Sequence, residues 1–89
     1  MTAEAVQEKV KELCVAHHAR CVILFGSRAK GTALQCSDID IAVSGVSDME
    51  TLREEIDEIP TLFTVDLVDL DTCANALLIE DIYKYGHEI

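Results

Sequence analysis

One stretch limits what this chain can fold into: Leu24-Phe25-Gly26-Ser27-Arg28-Ala29-Lys30-Gly31, followed shortly by Ser37-Asp38-Ile39-Asp40-Ile41-Ala42-Val43. The apolar run from Cys21 to Phe25 stops abruptly at Gly26-Ser27. A buried strand running into a turn that opens a short helix has this pattern. Glycine lets the backbone approach a ligand closely, and the N–H groups of a helix start attract phosphate. Asp38 and Asp40 stand two apart in the second apolar strand, so their side chains leave the same face. Two carboxylates on one face beside a phosphate-cradling turn make a magnesium–nucleotide site.

Each of these residues also has a plainer explanation. Acid alternating with isoleucine makes an ordinary half-exposed edge strand. Serine after a glycine turn caps helices, and Arg28 and Lys30 can be solvated surface charges. Against this, aspartate is poorly suited to strands and two on one face repel, so a divalent cation is the expected compensation. Ser27 can cap the turn and direct its hydroxyl at phosphate together. Beside a triphosphate, Arg28 or Lys30 is expected to neutralise phosphate charge, the sequence leaving open which. Ser37 is placed to orient the first carboxylate.

The rest of the chain reads as scaffold. Thr2 caps a helix to about His18, with Val6, Val10, Leu13 and Cys14 as its buried stripe. The unbroken apolar strand Cys21–Phe25 belongs in the middle of a sheet. Ser47-Asp48-Met49-Glu50 reads as a capping box, with Ser47 at N-cap and Glu50 at N3. The helix it starts carries Met49, Leu52, Ile56 and Ile59 and stops before Pro60. A third strand covers residues 62–69, where alternation puts Asp66 and Asp69 on opposite faces. Asp66, with aliphatic neighbours on either side, is the better candidate for a third functional carboxylate, and Asp69 the fallback. Asp71 or Thr72 caps the last helix, which runs to about Tyr85 with Gly86 at C′. Ala74, Leu78, Ile82 and Tyr85 line its inner face, joined by Leu77. Leu77, Ile79 and Tyr83 widen the apolar surface beyond what a small sheet needs and form a candidate docking face. The order α-β-α-β-α-β-α predicts an α/β (α+β) fold over one domain, residues 1–89. Its small mixed sheet is three-stranded at the core and covered by helices.

Seventeen acidic against seven basic residues give a net charge of −10. Such a surface repels nucleic-acid phosphates, so direct nucleic-acid binding is not expected. No apolar run is long enough for a transmembrane helix and the start lacks a signal-peptide pattern, which points to the cytoplasm. Cys14, Cys21, Cys36 and Cys73 contain no Cys-x-x-Cys pair. The cluster Cys14-x-x-His17-His18-x-x-Cys21 fits no standard zinc spacing, and free thiols are expected.

Gly26-Ser27-x-Ala29-x-Gly31, five residues, then Ser37-Asp38-x-Asp40-x-x-Val43 resembles the signature of the DNA polymerase beta-like nucleotidyltransferase superfamily. Within it the chain is most similar to the minimal nucleotidyltransferases, small domains paired with a separate helical HEPN toxin. The resemblance implies a nucleotidyltransferase fold and transfer of an NMP, AMP from ATP first, to a hydroxyl on the partner toxin, the chain acting as antitoxin. It implies Asp38, Asp40 and Asp66 as catalytic ligands of two Mg²⁺ ions, with Mn²⁺ able to substitute. Gly26, Ser27, Arg28, Lys30 and Ser37 become the nucleotide-binding set. Two competing readings are a silent module that neutralises a helical partner by contact, and a subunit of a small-molecule adenylyltransferase. Larger members of the superfamily carry a second domain to hold base or acceptor, and none is visible here.

Overall fold

The structure, a computed structural model, describes residues 2–26 and 38–89. Helix α1 (Ala3–Ala16) starts where the Thr2 hydroxyl accepts the Ala5 N–H at 3.1 Å. Val6, Val10 and Cys14 recur at helical spacing and are buried. At its end His18 takes a left-handed conformation (φ 64°) and the Ala19 N–H returns to the Cys14 carbonyl at 3.0 Å. The chain thus reverses directly into the first strand.

Strands β1 (Cys21–Phe25), β2 (Ile39–Ser44), β3 (Val65–Asp69) and β4 (His87–Glu88) form one mixed sheet in the order β3-β2-β1-β4. β1 is antiparallel to both its neighbours, and β2 and β3 are parallel. Helix α2 (Met49–Asp57) makes the crossover that parallel neighbours require. Alternation then sorts the side chains. Val22, Leu24, Ile39, Ile41, Val43 and Leu67 enter the larger core beneath α1 and α2. Ile23, Phe25 and Ala42 enter a smaller one with Ile82 of α3 (Ala76–Tyr85). The two central strands are therefore covered on both faces, as their continuous apolar runs require.

Four local expectations are corrected. The N-cap of α2 is Asp48, not Ser47: its carboxylate accepts the Thr51 N–H at 3.1 Å and the Thr51 hydroxyl at 2.7 Å. Two donors and the positive helix end favour a charged cap over a hydroxyl, and Glu50 falls at N2. Helix α3 starts later than expected, capped by Asn75, whose side-chain oxygen accepts the Leu78 N–H at 3.1 Å. Asp71 instead accepts the Gly45 N–H at 2.7 Å, and Thr72 donates to Asp69 at 3.2 Å in the preceding turn. Ala74 consequently lies before the helix and is exposed. Gly86 ends α3 at φ −71°, so it is not a left-handed cap; it is needed because a Cβ there would meet the Ile82 carbonyl and the Ile23 side chain. That close approach carries the chain into β4, an added edge strand that the sequence pattern does not announce. The expected short helix from Ser27 to Gly31 lies outside the described residues.

Two stability predictions follow from this packing. Asp48→Ala should lower Tm and Ser47→Ala should not. The Thr51 hydroxyl and N–H hold the Asp48 carboxyl below its ordinary range. Its contribution is therefore present above the ordinary aspartate pKa and is lost as pH falls through the lowered one, so the two variants should converge in acid. Ile82, fully buried, should cost about 2–5 kcal/mol on replacement by alanine. Leu77, 79% exposed on the same helix, should cost well under ~1 kcal/mol; urea unfolding reads both.

Candidate active site

The register of three strands assembles the candidate site at one end of the sheet. Asp40 is aligned with Phe25 on its antiparallel side and with Asp66 on its parallel side. Parallel neighbours in register share a face, so the Asp40 and Asp66 side chains stand next to each other. Asp38 lies two residues before Asp40, just ahead of β2, and is exposed. Gly26 directly follows Phe25 and lies against the Asp40 side chain. Asp40 is half-buried and Asp66 exposed. On this same face Ala42 and Val68, one pleat further along, pack under α3. The helix thus covers one end of the face and leaves the acidic end open.

Asp69, the fallback carboxylate, is aligned with Val43 towards the far end of the strands. Its oxygens accept the Asp71 N–H at 3.0 Å and the Thr72 hydroxyl at 3.2 Å, which commits it to the turn after β3. Ser27, Arg28, Lys30 and Ser37 lie outside the described residues. Phe25 is a neighbour that the sequence treated only as strand core: it is buried directly across from Asp40.

Among the described residues, no three His, Cys, Asp or Glu side chains gather into a metal cage. That is compatible with magnesium, which keeps its waters and is commonly held by one or two carboxylates plus substrate phosphates. The donor chemistry of neighbouring hard carboxylate oxygens beside a glycine turn fits such an ion.

The cysteine–histidine cluster near the end of α1 does not assemble. Cys14 faces the core, where burial pushes its thiol up to about 11 and keeps it neutral. His17 pairs through Nε2 with Glu55 Oε1 at 2.8 Å, and Cys21 Sγ lies 3.0 Å from the Ser44 hydroxyl. On the proposed docking face Leu77 and Tyr83 are exposed and Ile79 is half-buried. Tyr85, expected inside, is 43% exposed. Among the described residues no helix is long and apolar enough to cross a membrane.

Residues 8–89 match the Polymerase beta, Nucleotidyltransferase family, and the chain belongs to it. Comparison with curated proteins gave no match. Among solved structures, the chain is similar to one in a toxin–antitoxin complex with AMP-PNP, with 28% identity, a TM-score of 0.67, and coverage of 92% of this chain and 70% of that one. It is also similar to a chain of the toxin–antitoxin complex MntA-HpeT, in a mutant with two aspartates two positions apart replaced by glutamate. There the identity is 27% and the TM-score 0.72, over 92% of this chain and 70% of that one. A complex of tri-AMPylated Shewanella oneidensis HEPN toxin with MNT antitoxin shares the fold, at 24% identity and a TM-score of 0.61 over 96% and 69% of the two chains. The four-stranded mixed sheet is thus a nucleotidyltransferase fold, as the motif resemblance implied.

Like charges directly opposite on neighbouring strands destabilise a sheet by roughly 0.2–1 kcal/mol. Asp66→Asn should therefore raise the stability of the metal-free protein by a few tenths of a kcal/mol. Asp69→Asn should lower it, because the turn loses a charged acceptor. Urea titrations in excess chelator compare the two.

Proposed function

We propose that this protein is a metal-dependent nucleotidyltransferase that moves AMP from ATP to a hydroxyl of a helical HEPN-type toxin and so acts as an antitoxin. The carrying observation is the register that sets Asp40 beside Asp66, with Asp38 one pleat away and Gly26 against it, in a chain of the nucleotidyltransferase family. The likeness to a toxin–antitoxin complex with AMP-PNP, an ATP analogue, supports both the nucleotide and the partner. We read residues 1–89 as one such domain working in the cytoplasm.

In this reading Asp38, Asp40 and Asp66 hold Mg²⁺, two ions at full occupancy, with Mn²⁺ able to replace it. When bound, the metal supplies Lewis-acid stabilisation of the charge that develops on the phosphate oxygens. The backbone at Gly26 and the Ser27 hydroxyl bind the β- and γ-phosphates, Arg28 or Lys30 adds positive charge, and Ser37 orients Asp38. The acceptor oxygen forms a bond to the α-phosphorus while the bond from that phosphorus to the bridging β-phosphate oxygen breaks, and pyrophosphate leaves. Asp66, exposed at the open side of the carboxylate pair, is suited to take the hydroxyl proton. The acceptor is left to the partner: orientation accounts for roughly 7–11 kcal/mol of such a barrier, and the described strands supply ligands for phosphate and metal only.

Mixing the protein with a HEPN-type toxin, ATP and Mg²⁺ should add one or more AMP masses to the toxin in intact-mass spectrometry. Chelator should prevent the shift. Asp66→Asn should abolish it while the two proteins still co-elute in gel filtration, since the substitution removes a metal ligand and leaves the helical surfaces alone. If the toxin is neutralised equally by wild type and Asp66→Asn with no mass change, the protein acts by contact and the enzymatic reading fails.

A further inference from the structure

We infer that Gly26 is a positioning residue for the Asp40 carboxylate, separately from any contact its backbone makes with phosphate. The inference rests on the nucleotidyltransferase reading for its consequence, but its geometry stands alone. Gly26 has φ +74°, and a Cβ built on it would collide with Asp40 Oδ2 and come within 3.1 Å of Asp40 Cγ. The Asp40 Cβ, by contrast, would be at 3.4 Å, an ordinary contact. The space a side chain would fill at position 26 is therefore occupied by the carboxylate of Asp40. Its neighbours in the sheet are consistent with that position. Asp66 stands on the parallel side of Asp40 with a like charge, and Phe25 and Gly26 flank its other side. Lying against the glycine puts the Asp40 carboxylate beside the start of the turn where the triphosphate is proposed to bind. An ion held jointly by a carboxylate and substrate phosphates needs that carboxylate on the phosphate side. A side chain at position 26 would displace the carboxylate from that place.

Gly45 is the internal control. It also has positive φ (+84°), and a Cβ there would crowd Arg20, with its backbone nitrogen at 3.0 Å. It follows the opposite end of β2, where the added Cβ would meet Arg20, so Gly45→Ala imposes a comparable backbone penalty away from the Asp40 carboxylate. The experiment has two parts. Thermal unfolding is measured for Gly26→Ala in the wild-type and Asp40→Ala backgrounds. The alanine at position 40 removes the colliding oxygen, so Gly26→Ala should lower Tm markedly less there. Equal loss in both backgrounds, unfolding in both included, overturns the inference. Mn²⁺ binding in the presence of AMP-PNP is then followed by electron paramagnetic resonance. Gly26→Ala should weaken it at least tenfold, with Gly45→Ala within twofold of wild type. Wild-type binding that Gly26→Ala leaves intact overturns the inference while sparing the function. Absence of binding by the wild type itself overturns the proposed function, and the thermal cycle still decides the seat.

Discussion

Parallel pairing of β2 with β3 sets Asp40 and Asp66 in register on one face, and much of the molecule is arranged to permit it. A like-charge pair costs roughly 0.2–1 kcal/mol, whereas fully burying one leucine, isoleucine or valine contributes about 1.5–3 kcal/mol. Ile39, Ile41 and Leu67 alternate with the two aspartates and enter the core on the opposite face. Each acid is therefore flanked along its own strand by residues that pin the strand in place. A one-residue slip would put the isoleucines in water and the carboxylates in the core. Apolar burial thus outweighs the repulsion and enforces the register that creates it.

The smaller core decides how much of the acidic face stays open. Ile82 of α3 shares this core with Ile23, Phe25 and Ala42, and Leu78 packs against it. Ala42 follows Asp40 on the same face and belongs to this covered core, whereas Asp66, beside Asp40, is exposed. The C-terminal end of α3 is fixed by Gly86 against Ile23 and by the β4 pairing, with the Ile89 N–H donating to the Val22 carbonyl at 3.0 Å. Outward, Leu77 and Tyr83 flank Glu80 and Lys84, so the exposed surface of the helix is apolar at its margins and charged between them.

What could be read in the sequence was what local chemistry determines. The runs Cys21–Phe25 and Ile39–Ser44 admit few structures, and the stripe Val6, Val10, Cys14 fixes α1. Choices among neighbouring polar residues were not local. Ser47 and Asp48 both cap helices, and Thr51's second donor decides between them. Asp71 is a sound cap for α3 until Gly45, twenty-six positions earlier, offers it an N–H. The candidate site divides in the same way. Spacing places Asp38 and Asp40 on one face, and aliphatic neighbours favoured Asp66 over Asp69, but that Asp66 stands beside Asp40 depends on pairing between β2 and β3, which alternation alone cannot give. Gly26 was legible as a turn residue, but its contact with Asp40 arises only after β1 and β2 have paired. β4 is two residues long and has no pattern to read.

One property, acidity, constrains both the cofactor and the partner in the proposed reaction. The chain carries a net charge of −10, and its candidate site includes three aspartates. A triphosphate brought there meets repulsion that the N–H donors of one turn and a single proposed basic side chain offset only in part, so in the proposed reaction a divalent ion joins the carboxylates to the phosphates. The same field disfavours nucleic acid as acceptor and accelerates encounter with a basic protein surface, most strongly at low ionic strength. Short-range selection then falls to contacts near the open end of the β2–β3 pair. In the proposed reaction an acceptor hydroxyl presented by a folded partner protein meets that need, because its own scaffold supplies the orientation that these strands do not.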